Sequence, residues 1–135
     1  MGAWGYRVLD NDGALDRLYE FFHEDRYDSA RLSVFLLDLL DSNLESSWLL
    51  YAAIIDTSIH GVDESLLGGY WDCSTNNKIF FEWLTLHPMP TLVPYALKCI
   101  DKCIAEGVDD WAEDVQEDRM NLYLTYRDRL SKKGA

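Results

Sequence analysis

Apolar residues recur along this chain every three or four positions, the spacing of helices that each bury one face. Asn11 or Asp12 is positioned to cap a first helix, with Leu15, Leu18, Tyr19 and Phe22 on its apolar face and the polar run His23-Glu24-Asp25-Arg26 at its end. Asp28 or Ser29 caps a second. Leu32, Phe35, Leu36, Leu39 and Leu40 form its stripe, and Val34 and Leu37 widen the stripe until the helix is apolar nearly all round. Such a helix is expected at the centre of a bundle. Ser46 or Ser47 opens a third helix, Trp48 to His60, with Trp48, Ala52, Ile55 and Ile59 on one face. Gly61 ends it, and His60 suits the negative end of its dipole.

Residues 62–78 break the pattern. Gly68-Gly69 and Ser74-Thr75-Asn76-Asn77 read as breakers. Ile79 to Leu84 reads as a short helix, since the chain offers no second clear strand to pair with it. Pro88 and Pro90 precede another helix, with Pro94 in its first turn and Gly107 as its stop. Leu97, Ile100 and Ile104 form its core face, with Cys99 and Cys103 alongside. A last helix runs from near Asp109 to near Lys132 on a stripe of Trp111, Val115, Leu122, Tyr126 and Leu130. The pattern predicts an all-α fold, a single compact bundle of five or six helices, with residues 1–135 as one domain.

Composition agrees. A chain of 135 residues that is 48% hydrophobic, with five Trp and eight Tyr, can bury roughly two thirds of its unfolded surface without staples. The charge changes the picture more. Twenty-four acidic residues against 12 basic give −12, which repels nucleic-acid phosphates, anionic membranes and acidic substrates and favours basic proteins. Three cysteines do not make a disulfide framework and read as reduced thiols. Arg7, Asp10 and Asp12 interrupt any leader-like apolar stretch, and Tyr6 stands where myristoylation needs Ser or Thr. The run Trp48 to Ile55 is too short to span a membrane. The expectation is a soluble, cytoplasmic protein.

The strongest candidate site is the acidic run from Glu106 to Asp118: seven carboxylates and no Lys or Arg. On a helix Asp110, Glu113, Asp114 and Glu117 share an exposed face, and their repulsion at helical spacing suggests a cationic partner. The same pattern also describes an ordinary solvated face. Tyr70 and Trp71, in the irregular segment, form a second candidate contact, whereas Trp4, Trp48, Trp83 and Trp111 read as core anchors.

Other chemistry finds little footing. Aligning Gly13 with the glycine of a calcium loop puts Val8 and Tyr19 at two essential ligand positions, so Asp10, Asn11 and Asp12 read as turn and cap residues. Cys99 and Cys103, even with His87 and Cys73, lack the paired spacing of a zinc site and read as core thiols. No nucleophile elbow or phosphate loop is present, and His23, His60 and His87 are isolated. No metal, cofactor or catalytic residue is expected.

The opening Gly2-Ala3-Trp4-Gly5, with Asn11-Asp12 and Ala14-Leu15-Asp16, resembles the start of a bacterial family known as domain of unknown function 4259. Ala52-Ala53 through Gly61, and Ala96-Leu97 through Trp111 to Arg129-Leu130, are similar to two further family blocks. The chain departs at Arg17, where the family usually has Trp, and at Arg7, where Gly is frequent; residues 62–90 are not covered. The resemblance implies a small bacterial or phage-borne helical protein and supplies no catalytic residue. In the opening block, Gly2 and Gly5 would let the backbone lie close to the bundle while Trp4 inserts.

Taken together, the residues suggest a non-enzymatic acidic protein that binds a basic protein partner, as an immunity, antitoxin or phage anti-defence inhibitor does, without direct contact to nucleic acid or membrane. The alternatives are an enzyme built on a carboxylate-bound divalent metal and a purely structural, oligomeric role.

Overall fold

The computed structural model describes residues 5–10, 12–21 and 29–132. Among these residues the chain is all-α, with no strand. Its helices are α1 (Asp12–Phe21), α2 (Ser29–Leu40), α3 (Glu45–His60), α4 (Glu64–Leu67), α5 (Thr75–Leu84), α6 (Val93–Glu106) and α7 (Glu113–Ser131). Two 3-10 turns, Gly69–Asp72 and Pro90–Leu92, join them.

The count exceeds the expected five or six because the irregular segment is itself helical. Asp63 Oδ1 accepts from Ser65 N at 3.0 Å and starts α4. Ser74 Oγ accepts from Asn77 N at 3.1 Å and starts α5. Ser74, from a run that reads as a breaker, and Asp63 therefore act as caps, satisfying first-turn N–H groups that lack a backbone partner. Gly61 (φ +89°) and Gly107 (φ +82°) end α3 and α6 as expected, and Pro94 lies in the first turn of α6.

The central helix is α3, not α2. Every residue from Leu49 to Ser58 is at most 3% exposed. α3 packs against α1, α2, α5, α6 and α7. Leu49, Leu50, Ile54 and Ile55 are each at 0% exposure, about 1.5–3 kcal/mol of hydrophobic stabilisation apiece relative to an exposed position. Ala52 and Ala53 present little bulk, which lets neighbours close on several sides. On α2, by contrast, Val34 (61% exposed) and Leu37 (64%) face outward, so apolar breadth does not decide which helix is enclosed.

α1 also rotates relative to expectation. Ala14, Leu18 and Phe21 are buried, while Tyr19 is 75% exposed; Phe22 lies outside the described residues. Phe21 stacks on Phe35 of α2 (centroids 4.6 Å) and meets Phe80 of α5 edge-on (5.2 Å). The four described tryptophans, Trp48, Trp71, Trp83 and Trp111, are only half-buried, and Tyr51, Tyr123 and Tyr126 occupy the interior in their place. Trp4 lies outside the described residues, as do the proposed caps Asn11 and Asp28.

The strap of residues 5–10 is bound to α4. Val8 N donates to Leu66 O (3.1 Å) and Leu9 N to Leu67 O (2.9 Å), with both strap side chains buried. Asp10, 6% exposed, accepts from Arg7 N at 3.2 Å, the local turn bond expected of an aspartate there. Gly5 and Gly68 lie against its carboxylate, and Gly68 has φ +95°. A Cβ at Gly68 would stand 2.7 Å from Asp10 Oδ1. Gly68→Ala combines left-handed strain with this clash, so a loss of about 2 kcal/mol in urea unfolding is expected. A loss under about 0.5 kcal/mol would show that the strap is not held as described.

Candidate partner-binding surface

The acidic stretch spans the connection between α6 and α7. Glu106 is the last residue of α6, and Val108 O accepts from Trp111 N (2.9 Å) in the turn that follows. α7 begins only at Glu113, after Ala112, which offers no side-chain cap. Asp109 and Asp110 therefore precede the helix, and Asp110 does not share a helical face with Glu113, Asp114 and Glu117 as the periodicity suggested. The helix starts late because the turn at Val108–Trp111 uses the backbone that an earlier start would need. Glu113 and Asp114 complement the positive end of the α7 dipole.

Glu106, Asp109, Asp110, Glu113, Asp114, Glu117 and Asp118 are all exposed. None pairs with a cation among the described residues, although Asp101 and Asp128 on the same two helices pair with Arg127 and Lys132.

Directly beyond this run, Arg119 is turned inward with 0% exposure. Its Nη2 donates to Glu45 Oε2 (2.5 Å), its Nη1 to Tyr6 O (2.6 Å) and Arg7 O (3.3 Å), and its Nε to Tyr123 Oη (3.2 Å). Tyr123 Oη donates in turn to Glu45 Oε2 (2.5 Å). The Trp111 ring lies over the guanidinium at 4.1 Å, which is why this tryptophan sits at the core edge rather than within it. One arginine thus joins the strap, α3 and α7. Burial holds the Tyr123 hydroxyl well above its ordinary range, so it remains a donor. The periodicity missed Arg119 because an arginine is discounted on a buried stripe. Its spacing from Leu122, Tyr126 and Leu130 was the available signal.

Tyr70 is 42% exposed and Trp71 half-buried against the core, in a 3-10 turn that packs on α4 and α5.

A second buried ion pair closes the other end of α3. Asp56, 2% exposed, receives Arg129 Nε at 3.0 and 3.1 Å and Arg129 Nη2 at 2.9 Å; Arg129 Nη1 reaches Asp63 Oδ2 at 3.2 Å. Burial pushes the Asp56 carboxyl up, and the bonds and charge of Arg129 pull it back. His60 Nε2 sits 3.2 Å from Arg129 O and 3.9 Å from Asp56 Oδ1.

Cys99 (1%) and Cys103 (0%) are packed in the core, and burial raises the Cys99 thiol to about 11. Cys103 is pushed up further by burial and the neighbouring Glu45 carboxylate. Cys73 is exposed. A thiolate-selective disulfide reagent at pH 8 is therefore expected to modify Cys73 promptly and the other two only after denaturation. Prompt modification of all three would show that α6 does not bury its thiols. Among the described residues no three His, Cys, Asp or Glu side chains are placed to hold a metal ion, and no helix is long and apolar enough to cross a membrane.

A family model described as a domain of unknown function, DUF4259, matches residues 2–122. The chain belongs to this family. The DUF4259 match takes in the strap, the acidic stretch and Arg119, and it spans residues 62–90. It ends at Leu122, so Arg129-Leu130 lies beyond the matched residues. No curated protein and no solved structure matches the chain.

Proposed function

We propose that this protein is a non-enzymatic binding protein that captures a basic protein partner through the acidic α6–α7 connection, in the manner of an immunity, antitoxin or phage anti-defence inhibitor. The observation that carries the reading is the contrast at that connection. Seven carboxylates stand exposed and pair with no cation among the described residues, while the adjacent guanidinium of Arg119 is spent inside the fold. A surface of one sign on a protein of net charge −12 speeds encounter with a cationic partner and rejects anionic ones. Tyr70 and Trp71 supply an aromatic contact for a partner that extends past the carboxylates.

The test is capture from the native host with the parent protein and with the quadruple variant Asp110→Asn, Glu113→Gln, Asp114→Asn, Glu117→Gln. Both are run at about 0.05 M and about 0.5 M salt, across which screening shortens several-fold. The expected result is a basic protein retained by the parent at low salt and lost both in the variant and at high salt. Capture that the variant leaves unchanged would overturn the reading.

A further inference from the structure

The strap uses the backbone of Arg7 and leaves its side chain unclaimed. Arg7 N donates to Asp10 Oδ2 (3.2 Å), and Arg7 O accepts from Asp10 N (3.1 Å) and Arg119 Nη1 (3.3 Å). The guanidinium makes no hydrogen bond or ion pair among the described residues and lies over the Tyr6 ring, 5.2 Å from its centroid. Its Nε is buried without an acceptor, the one such side-chain atom among the described residues. The residue as a whole is half-buried, so its head stays within reach of a ligand.

The other described arginines each reach an acceptor: Arg17 on Ser47, Arg31 on the Phe21 carbonyl, Arg119 on Glu45, Arg127 on Asp101 and Arg129 on Asp56. A chain with 24 acidic residues against 12 basic has no shortage of carboxylates. A buried donor without an acceptor costs free energy, and a charged one costs more. Nε–H and the adjacent Nη–H form a planar fork that matches the two oxygens of one carboxylate. No bond pins this side chain, and Gly68, whose Cβ would stand 3.3 Å from Arg7 Cβ, sets no side chain against its stem. The fork is free to turn onto an external acceptor.

The surroundings select what carries that acceptor. A net charge of −12 repels a free anion. Tyr6 O and Arg7 O both accept from Arg119, whose guanidinium lies against Trp111, within the acidic stretch. A carboxylate set among basic residues is drawn to this surface by its neighbours and brings the counter-charge that Arg7 lacks.

From these observations we infer that Arg7 is the docking point for a carboxylate of the basic partner, an aspartate or glutamate flanked by lysine or arginine. The inference rests on the capture of a basic partner proposed above and adds the contact that fixes the partner's register.

Two short peptides, acetyl-Lys-Lys-Asp-Lys-Lys-amide and its Asn counterpart, are titrated into the intact protein at about 0.05 M salt. Charge alone favours the Asn peptide, which is the more cationic. The parent is expected to prefer the Asp peptide about threefold to tenfold, the worth of one charge-assisted contact at a half-buried site. Arg7→Met keeps the apolar stem and removes the fork. It is expected to reverse the preference, with a melting temperature within about 5 °C of the parent. A parent that prefers the Asn peptide, or neither, overturns the inference, as does an Asp preference that Arg7→Met retains. Absence of binding by both peptides overturns it too. So does a melting temperature lowered by more than about 5 °C in Arg7→Met, which would show that the guanidinium has its acceptor inside the fold. The quadruple acidic variant separates the two readings. Weaker binding of both peptides with the Asp preference intact supports both. Unchanged binding with that preference intact faults capture by the acidic connection and leaves Arg7 as the carboxylate site.

Discussion

Replacing Arg119 by leucine is expected to remove about 3–5 kcal/mol of stability, the cost of breaking a buried ion pair from one side. The substitution strands the Glu45 carboxylate and the Tyr6 and Arg7 carbonyls, which all accept from this guanidinium, and leaves the Trp111 ring without the cation beneath it. Domains are stable by about 5–15 kcal/mol in total, so the variant approaches the folding threshold. At about 2–4 °C per kcal/mol, the melting temperature falls by about 6–20 °C. Arg119→Lys rescues little, because one compact ammonium cannot serve a carboxylate and two carbonyls while stacking on an indole. Glu45→Gln together with Arg119→Leu is expected to cost less than the sum of the single changes, since the stranded charge is gone. Urea unfolding of the parent, Arg119→Leu, Arg119→Lys, Glu45→Gln and the double variant decides the matter: a loss below about 1 kcal/mol in Arg119→Leu would mean that this network does not tie the strap to the bundle.

Arg129→Leu is expected to be as damaging at neutral pH, about 3 kcal/mol or more, and its cost should depend on pH. Asp56 is 2% exposed, and burial already raises its carboxyl against the opposing pull of Arg129. Without the guanidinium the folded-state value rises further above the unfolded one. Between those two values the folded protein holds a proton that the unfolded chain has released, so stability falls as pH rises through that window. Below the unfolded value both states are protonated and the penalty disappears. The gap between parent and variant should therefore be small near pH 4 and widen toward pH 8. Adding Asp56→Asn removes the titrating group and should make the gap nearly constant. A gap that is the same at both ends of the pH range for Arg129→Leu alone would show that Asp56 does not depend on this partner.

Arg119 and Arg129 are committed to Glu45, Asp56 and Asp63, so they do nothing to offset the exposed carboxylates of the α6–α7 connection.

Much of this was legible in the sequence because it depends on local physics. Three- and four-residue apolar spacing is a property of one helix at a time, and it placed α2, α3, α6 and most of α7. Gly61, Gly107 and Pro94 mark helix ends through backbone dihedrals that belong to single residues. The family, too, could be read from a short block of opening residues and was matched across residues 2–122. Ser74 reads as a breaker in the sequence yet caps α5 in the fold, because the same short polar side chain serves both.

Tertiary structure alone decided which helix is enclosed, since an apolar surface names no neighbour: α3 is surrounded and α2 left half bare, although both are rich in leucine and isoleucine or valine. It decided that Asp110 stands ahead of α7 rather than on it, because the turn after Gly107 must bring α7 back onto α6. And it decided the fate of the polar groups. Arg119 meets Glu45 across 74 positions and Arg129 meets Asp56 across 73. No local pattern carries pairings at that separation; they exist because a charge removed from water must find its counter-charge wherever the fold brings one.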